Sequence, residues 1–132
     1  AFADLMKKHG IAHVVVETDL NGFNYKEYEQ IVAELFRAHP DVDGVFASSD
    51  VIAAQVLKEC RRLGKKVPDD VKVVGFDGIQ LGEFIAPGLT TIQQPIREIA
   101  KSAVDLIVEQ INGNAAPREN ILPVKLLEKE TT

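Results

Sequence analysis

Asp77 closes the apolar run Val73-Val74-Gly75-Phe76 and is followed at once by Gly78. A continuous run of this kind reads as a buried strand whose carboxyl end opens into a loop. Open α/β sheets bind ligands just outside the carboxyl ends of their strands. A carboxylate there offers roughly four lone-pair sites in a fixed plane, suited to the hydroxyls or a ring N–H of a small polar molecule. Asp77 could instead cap the turn that follows through an Asx-type bond.

Three further positions have the same double character. Ser48 and Ser49 lie where Phe46-Ala47 gives way to a helical pattern beginning at Asp50. A helix start presents free N–H groups that attract polar ligands, and a serine there is equally an ordinary N-cap. Phe23 follows the first apolar segment. Its ring could lie against the apolar face of a sugar or staple the helix behind it. Gln94 precedes Pro95, where it could face a ligand, cap the next helix, or do no more than join two elements.

Catalytic patterns are missing. The chain has no G-x-G-x-x-G, G-x-x-x-x-G-K-[ST], C-x-x-C, H-E-x-x-H or G-x-S-x-G motif, and nothing pairs a nucleophile with a base. His9, His13 and His39 have no metal-ligand spacing. Cys60 falls inside a helical pattern and reads as a small buried residue. The expectation is a binding module, not an enzyme, with no cofactor and no metal. A phosphoacceptor receiver would need an acidic pair after its first strand and a lysine after its last, and neither is visible.

The elements that must position these residues alternate in period. Helical spacing covers Ala1 to Lys8, Asn24 to Ala38, Asp50 to Leu63 and Pro95 to Ile111, with a possible short turn at Gln80 to Phe84. Strand patterns cover Ile11 to Glu17, Gly44 to Ala47, Val71 to Phe76, Thr90 to Ile92 and Ile121 to Leu127. Pro123 suggests an edge for the last of these. Such alternation predicts an α/β, Rossmann-like fold with a mainly parallel sheet flanked by helices.

Composition sets limits. With 132 residues, one domain is the default, and the single cysteine excludes an internal disulfide and fits a reducing, cytoplasmic setting. A net charge of −5 is unsuited to gripping nucleic acid alone. The basic residues from Lys58 to Lys66 oppose a helix dipole rather than form a DNA-binding patch. No apolar run approaches the ~20 residues of a bilayer span.

The motifs Phe46-Ala47-Ser48-Ser49-Asp50, Val67-Pro68-Asp69-Asp70-Val71, Val73-Val74-Gly75-Phe76-Asp77, Leu89-Thr90-Thr91-Ile92-Gln93-Gln94-Pro95 and Ile121-Leu122-Pro123-Val124-Lys125-Leu126, closing on Thr131-Thr132, occur in an order that resembles the lactose/galactose-repressor (LacI/GalR) family of sugar-responsive regulators. The resemblance covers essentially the whole chain and implies a periplasmic-binding-protein-like core, of which residues 1–132 would be an incomplete second lobe without the DNA-binding head. It implies that Asp77, Phe23, Ser49 and Gln94 bind the effector. Ser49 stands where many members carry an asparagine, a departure that shortens its reach. It implies a homodimer through the Asp50–Leu63 helix and Leu81–Ala86, with operator DNA held only through the missing head. Residues 95–112 would form a helix of the other lobe.

The same resemblance implies a missing central strand before Ala1, a gap between the strands at Val14 and Val45, and an uncovered apolar face on the Pro95–Ile111 helix. The expectation is a piece of a longer protein that pairs with further chain or self-associates. Phe76-Asp77-Gly78-Ile79 is most like members that answer to ribose or sucrose. A transport-linked sugar-binding protein would share this core.

Overall fold

The computed structural model describes residues 2–17, 25–80, 85–115, 117 and 119–132, with the side chains of the second helix described from Tyr28 onward. In chain order the elements are α1 (Phe2–Lys8), α2 (Tyr25–Ala38), β1 (Gly44–Phe46), α3 (Asp50–Arg62), β2 (Lys72–Asp77), β3 (Thr90–Gln93), α4 (Ile96–Ile111) and β4 (Lys125–Leu127). The sheet runs in the order β1-β2-β3-β4. The β1–β2 and β2–β3 pairs are parallel, and β3–β4 is antiparallel, so the sheet is mainly parallel as the alternating pattern requires.

The core forms where α3 lies on β2 and α2 lies beside α3. Val32 and Phe36 of α2 meet Ala53, Val56, Leu57 and Cys60 of α3 over Val71, Val73 and Leu89. These are the positions that the helical and strand periods mark as inward. A fully buried Val or Leu such as Val56 or Leu89 contributes about 1.5–3 kcal/mol. Ser49 begins α3, its Oγ accepting the N–H of Ile52 at 3.3 Å, and Gly64 ends it at φ +70°, a conformation in which a Cβ would be strained.

The end of the chain locks the opposite margin of the sheet. Thr131 is fully buried. Its carbonyl accepts the N–H of Val73 at 2.9 Å. Its Oγ1 donates to the Val73 carbonyl at 2.7 Å and accepts the N–H of Thr90 at 2.8 Å. Thr90 Oγ1 in turn accepts the N–H of Lys129 at 2.9 Å. One hydroxyl therefore fastens β2 and β3 where the ladder between them begins.

Two sequence expectations fail. Residues 11–17 form no strand, and Val14, Val15 and Val16 are exposed. A strand needs a neighbour for its N–H and C=O groups, and no described strand lies beside this segment. The closing strand is only Lys125–Leu127 rather than Ile121–Leu127. Pro123 has no N–H to give a ladder, and the residues before Lys125 face α4 across a groove instead. The edge position of this last strand is as Pro123 suggested. The turn at Gln80 to Phe84 falls largely on Leu81–Phe84, outside the described residues.

The apolar face of α4 lies open. No residue of α4 is buried, and Ile96, Val104, Ile107 and Ile111 are more than half exposed. Near α1, the rings of Phe2 and Phe46 stack with centroids 5.9 Å apart, yet both are over 40% exposed.

Two predictions concern this frame. Thr131→Val keeps the shape but leaves the buried N–H of Thr90 without its acceptor. It should cost about 1–3 kcal/mol, read as a lower urea midpoint in the intact protein. Glu59 is buried on α3, and the Arg62 fork donates to both its oxygens at 2.8 and 2.6 Å. That bond holds its carboxyl below the usual range, although burial pushes the other way. A lowered native pKa stabilises fully above the unfolded value of about 4.3 and is lost as pH falls through the lowered native value. Glu59→Gln should therefore flatten the acid limb of the stability–pH curve below about pH 4, followed by urea titration at a series of pH values.

Candidate functional site at the carboxyl ends of the strands

Three of the four expected site residues follow the carboxyl ends of three adjacent parallel strands. Ser49 comes after β1, Asp77 ends β2, and Gln94 follows β3. The register pairs Asp77 with Gln93, which brings Gln94 beside Asp77 on the lip of the sheet. Phe23 lies outside the described residues.

Asp77 and Gln94 are in direct contact. Gln94 Nε2 donates to Asp77 Oδ1 at 2.7 Å, and the Gln94 N–H donates to the Asp77 carbonyl at 3.2 Å. The Asp77 carboxylate is half-buried, with Oδ1 engaged by Gln94 and Oδ2 without a hydrogen-bond partner among the described residues. Ser49 serves as the cap of α3. Its oxygen accepts from Ile52, and its hydroxyl proton can still be donated. Both readings of Ser49 are therefore compatible with one geometry.

The backbone at Asp77 is unusual. Its φ is +117°, the single non-glycine positive φ among the described residues, and such conformations cost about 1–3 kcal/mol. The next residue, Gly78, has φ +69°, and a Cβ there would come within 2.7 Å of the Gln93 backbone. The chain thus turns sharply against β3, presenting the Asp77 side chain at the lip. Strain of this sort persists only where surrounding contacts over-determine it.

A residue that sequence reasoning treated only as the first of a helix supplies much of that determination. Asp50 is fully buried. It leaves the capping of α3 to Ser49 and reaches across to the sheet. Its Oδ1 accepts the Thr91 hydroxyl at 2.5 Å and its Oδ2 accepts the N–H of Ile79 at 2.9 Å. Gly75 makes room for it, because a Cβ at that position would lie 2.3 Å from Asp50 Oδ1. The sequence signal was a glycine in the middle of the strongest apolar run, four residues before Ile79, whose N–H donates to Asp50.

Other candidate features stay away from the lip. Burial pushes the Cys60 thiol up, which keeps it protonated and inert. His13 Nδ1 lies 3.0 Å from the Ile11 carbonyl. A groove of about 350 Å³ between α4 and residues 120–124 touches Gln94 but is lined mainly by Ile99, Leu106, Leu122 and Val124. It is the open apolar flank of α4, not a cradle around Asp77.

The whole chain, residues 1–132, matches the model of the periplasmic binding protein-like domain. Over 132 residues it is 38% identical to the ribose operon repressor of Halalkalibacterium halodurans, covering 99% of this chain and 39% of that protein. Among solved structures, a LacI family transcriptional regulator from Arthrobacter sp. FB24 in complex with lactose superposes with a TM-score of 0.85 at 31% identity, over 98% of this chain and 49% of that one. The cellobiose complex of the transcriptional regulator CelR superposes at 0.87 with 29% identity, over 99% and 40%. The chain therefore spans less than half the length of the relatives it matches.

The strain at Asp77 makes a prediction of its own. Asp77→Ala loses the Gln94 bond and keeps the strain, whereas Asp77→Gly loses the bond and releases it. The glycine variant should be the more stable of the two by about 1–3 kcal/mol, measured as the difference in urea unfolding free energy.

Proposed function

The chain belongs to the periplasmic binding protein-like domain family, in the form found in LacI-family regulators, and from that premise we propose that it is the effector-binding part of a sugar-responsive, cytoplasmic repressor. The carrying observation is the Asp77 carboxylate, held at the lip of the sheet with Oδ1 on Gln94 and acceptor capacity to spare. A polyhydroxylated ligand supplies the O–H donors that such a group accepts. Ser49 adds a hydroxyl proton from the neighbouring strand end, and Phe23 an aromatic surface. The names of the relatives, which are repressors of sugar operons, favour this reading over a transport-linked binding protein.

In this proposal the sugar, of the ribose or sucrose class, sits between two lobes. Residues 95–112 belong to the second of these, which supplies the cover that the apolar face of α4 lacks here. Gln94 is then both a ligand-side residue and the first step of the crossing between lobes. Two copies associate through α3 and residues 81–86, and operator DNA is held by a head outside this chain. Coupling requires only that the sugar bind one lobe arrangement better than the other.

Asp77→Asn in the full-length protein retains the shape and loses the charge. Calorimetric titration with D-ribose, sucrose, lactose and cellobiose should show the sugar bound by the wild type weakened by about 1.5–3 kcal/mol. Unchanged affinity would remove Asp77 from the site.

A further inference from the structure

We propose that Asp50 is the positioning residue of this site: its buried carboxylate holds the Asp77–Gly78 bend in the form that presents the Asp77 side chain to a ligand. The inference rests on the effector-site reading of Asp77 and adds a residue that touches no ligand.

The geometry is a brace with three feet. One foot is the helix, because Asp50 is the first residue of α3 and its position is fixed by the Ser49 cap. The second is β3, through the Thr91 hydroxyl on Oδ1. The third is the loop, through the Ile79 N–H on Oδ2. Asp77 and Gly78 lie between the β2–β3 ladder on one side and this Ile79 anchor on the other. The ladder alone fixes where β2 ends. The anchor fixes where the chain goes next, and the two together compel the positive φ at both residues.

A simple structural role accounts for less. An acidic residue in the first turn of a helix favours the dipole from the surface and needs no burial. Asp50 is buried to zero exposure, and β2 gives up a side chain at Gly75 to admit it. A buried carboxylate with no cation within bonding distance is costly unless hydrogen bonds satisfy it. Among the described residues both of its side-chain bonds go to the elements that flank Asp77, and neither goes to the amides of α3.

Asp50→Ala tests this, because it removes both acceptors at once, whereas an asparagine could keep both bonds by donating its amide N–H to the Thr91 hydroxyl oxygen. Thr91→Val tests the same brace by removing one donor without changing the buried charge. Glu59→Gln, a buried carboxylate on the same helix but paired with Arg62, is the control for loss of stability. In the full-length protein, hydrogen exchange by mass spectrometry should quicken in peptides spanning residues 77–80 for Asp50→Ala and Thr91→Val, and not for Glu59→Gln. Affinity for whichever of D-ribose, sucrose, lactose or cellobiose the wild type binds should fall about tenfold in the first two variants alone. If exchange at 77–80 stays at the wild-type rate in Asp50→Ala or Thr91→Val, the proposal is overturned whatever the sugars do. Faster exchange with unchanged sugar affinity would also overturn it, leaving Asp50 a structural residue only. If Asp77→Asn itself binds sugar as the wild type does, the effector-site reading has failed, and the exchange data still decide separately whether Asp50 holds the bend.

Discussion

The constraint on which the rest depends is the burial of one carboxylate between a helix and a sheet. Among the described residues Asp50 has no counter-ion at bonding distance. It is retained by a hydroxyl of β3, an amide of the loop after β2, and the favourable end of the α3 dipole. Those partners dictate much around them. Gly75 can carry no side chain, Thr91 must place its hydroxyl inward, and the chain after Asp77 must bend back toward α3. A group that is costly to bury thus fixes the spacing of α3, β2 and β3 more narrowly than apolar packing would, since apolar contacts tolerate small slips and hydrogen bonds do not.

That constraint explains what was legible in the sequence. The inward faces of α2 and α3 follow a 3.6-residue period, and the buried positions Val32, Phe36, Ala53, Val56 and Cys60 are the ones that period marks. Val71 to Phe76 reads as a strand from its continuous apolar run, and the structure buries Val71, Val73 and Gly75 on one face while Lys72 is exposed and Val74 and Phe76 are half-buried. Asp77 and Gln94 were legible as polar residues at strand ends, and the register confirms their adjacency. Asp50 was not legible. At a helix start an aspartate is ordinary, and only the tertiary approach of Thr91 and Ile79, each 29 or more positions away, gives it another task.

One misreading comes from the opposite side of the same physics. Val14-Val15-Val16 has every local mark of a strand and pairs with no described strand, whereas α4 has every local mark of a packed helix and is uncovered, as the family resemblance implied. Local pattern records what a segment is suited to meet, not whether the partner is present. Phe2 and Phe46 stack with both rings exposed, and α4 leaves Ile96, Val104, Ile107 and Ile111 exposed. Both surfaces have the composition of interior rather than of exterior, consistent with a chain that spans less than half of its relatives.

At the lip, the pairing of Asp77 with Gln94 would join recognition to geometry in the proposed effector site. Gln94 is bonded to Asp77 by both backbone and side chain, and one residue later the chain enters the crossing to α4 at Pro95. A ligand that bonds to Asp77 must either share the carboxylate with Gln94 or displace it. In the first case the crossing is held as it stands; in the second it is released. Either outcome makes the free energy of the ligand contact depend on the position of the crossing, which is the differential affinity that a two-state regulator needs. A shift of about 1.4 kcal/mol in that one hydrogen-bond set changes the ratio of two lobe arrangements tenfold. On the proposed reading, the site would need no long pathway to reach the hinge, because the carboxylate proposed to face the ligand and the residue before Pro95 are already hydrogen-bonded neighbours.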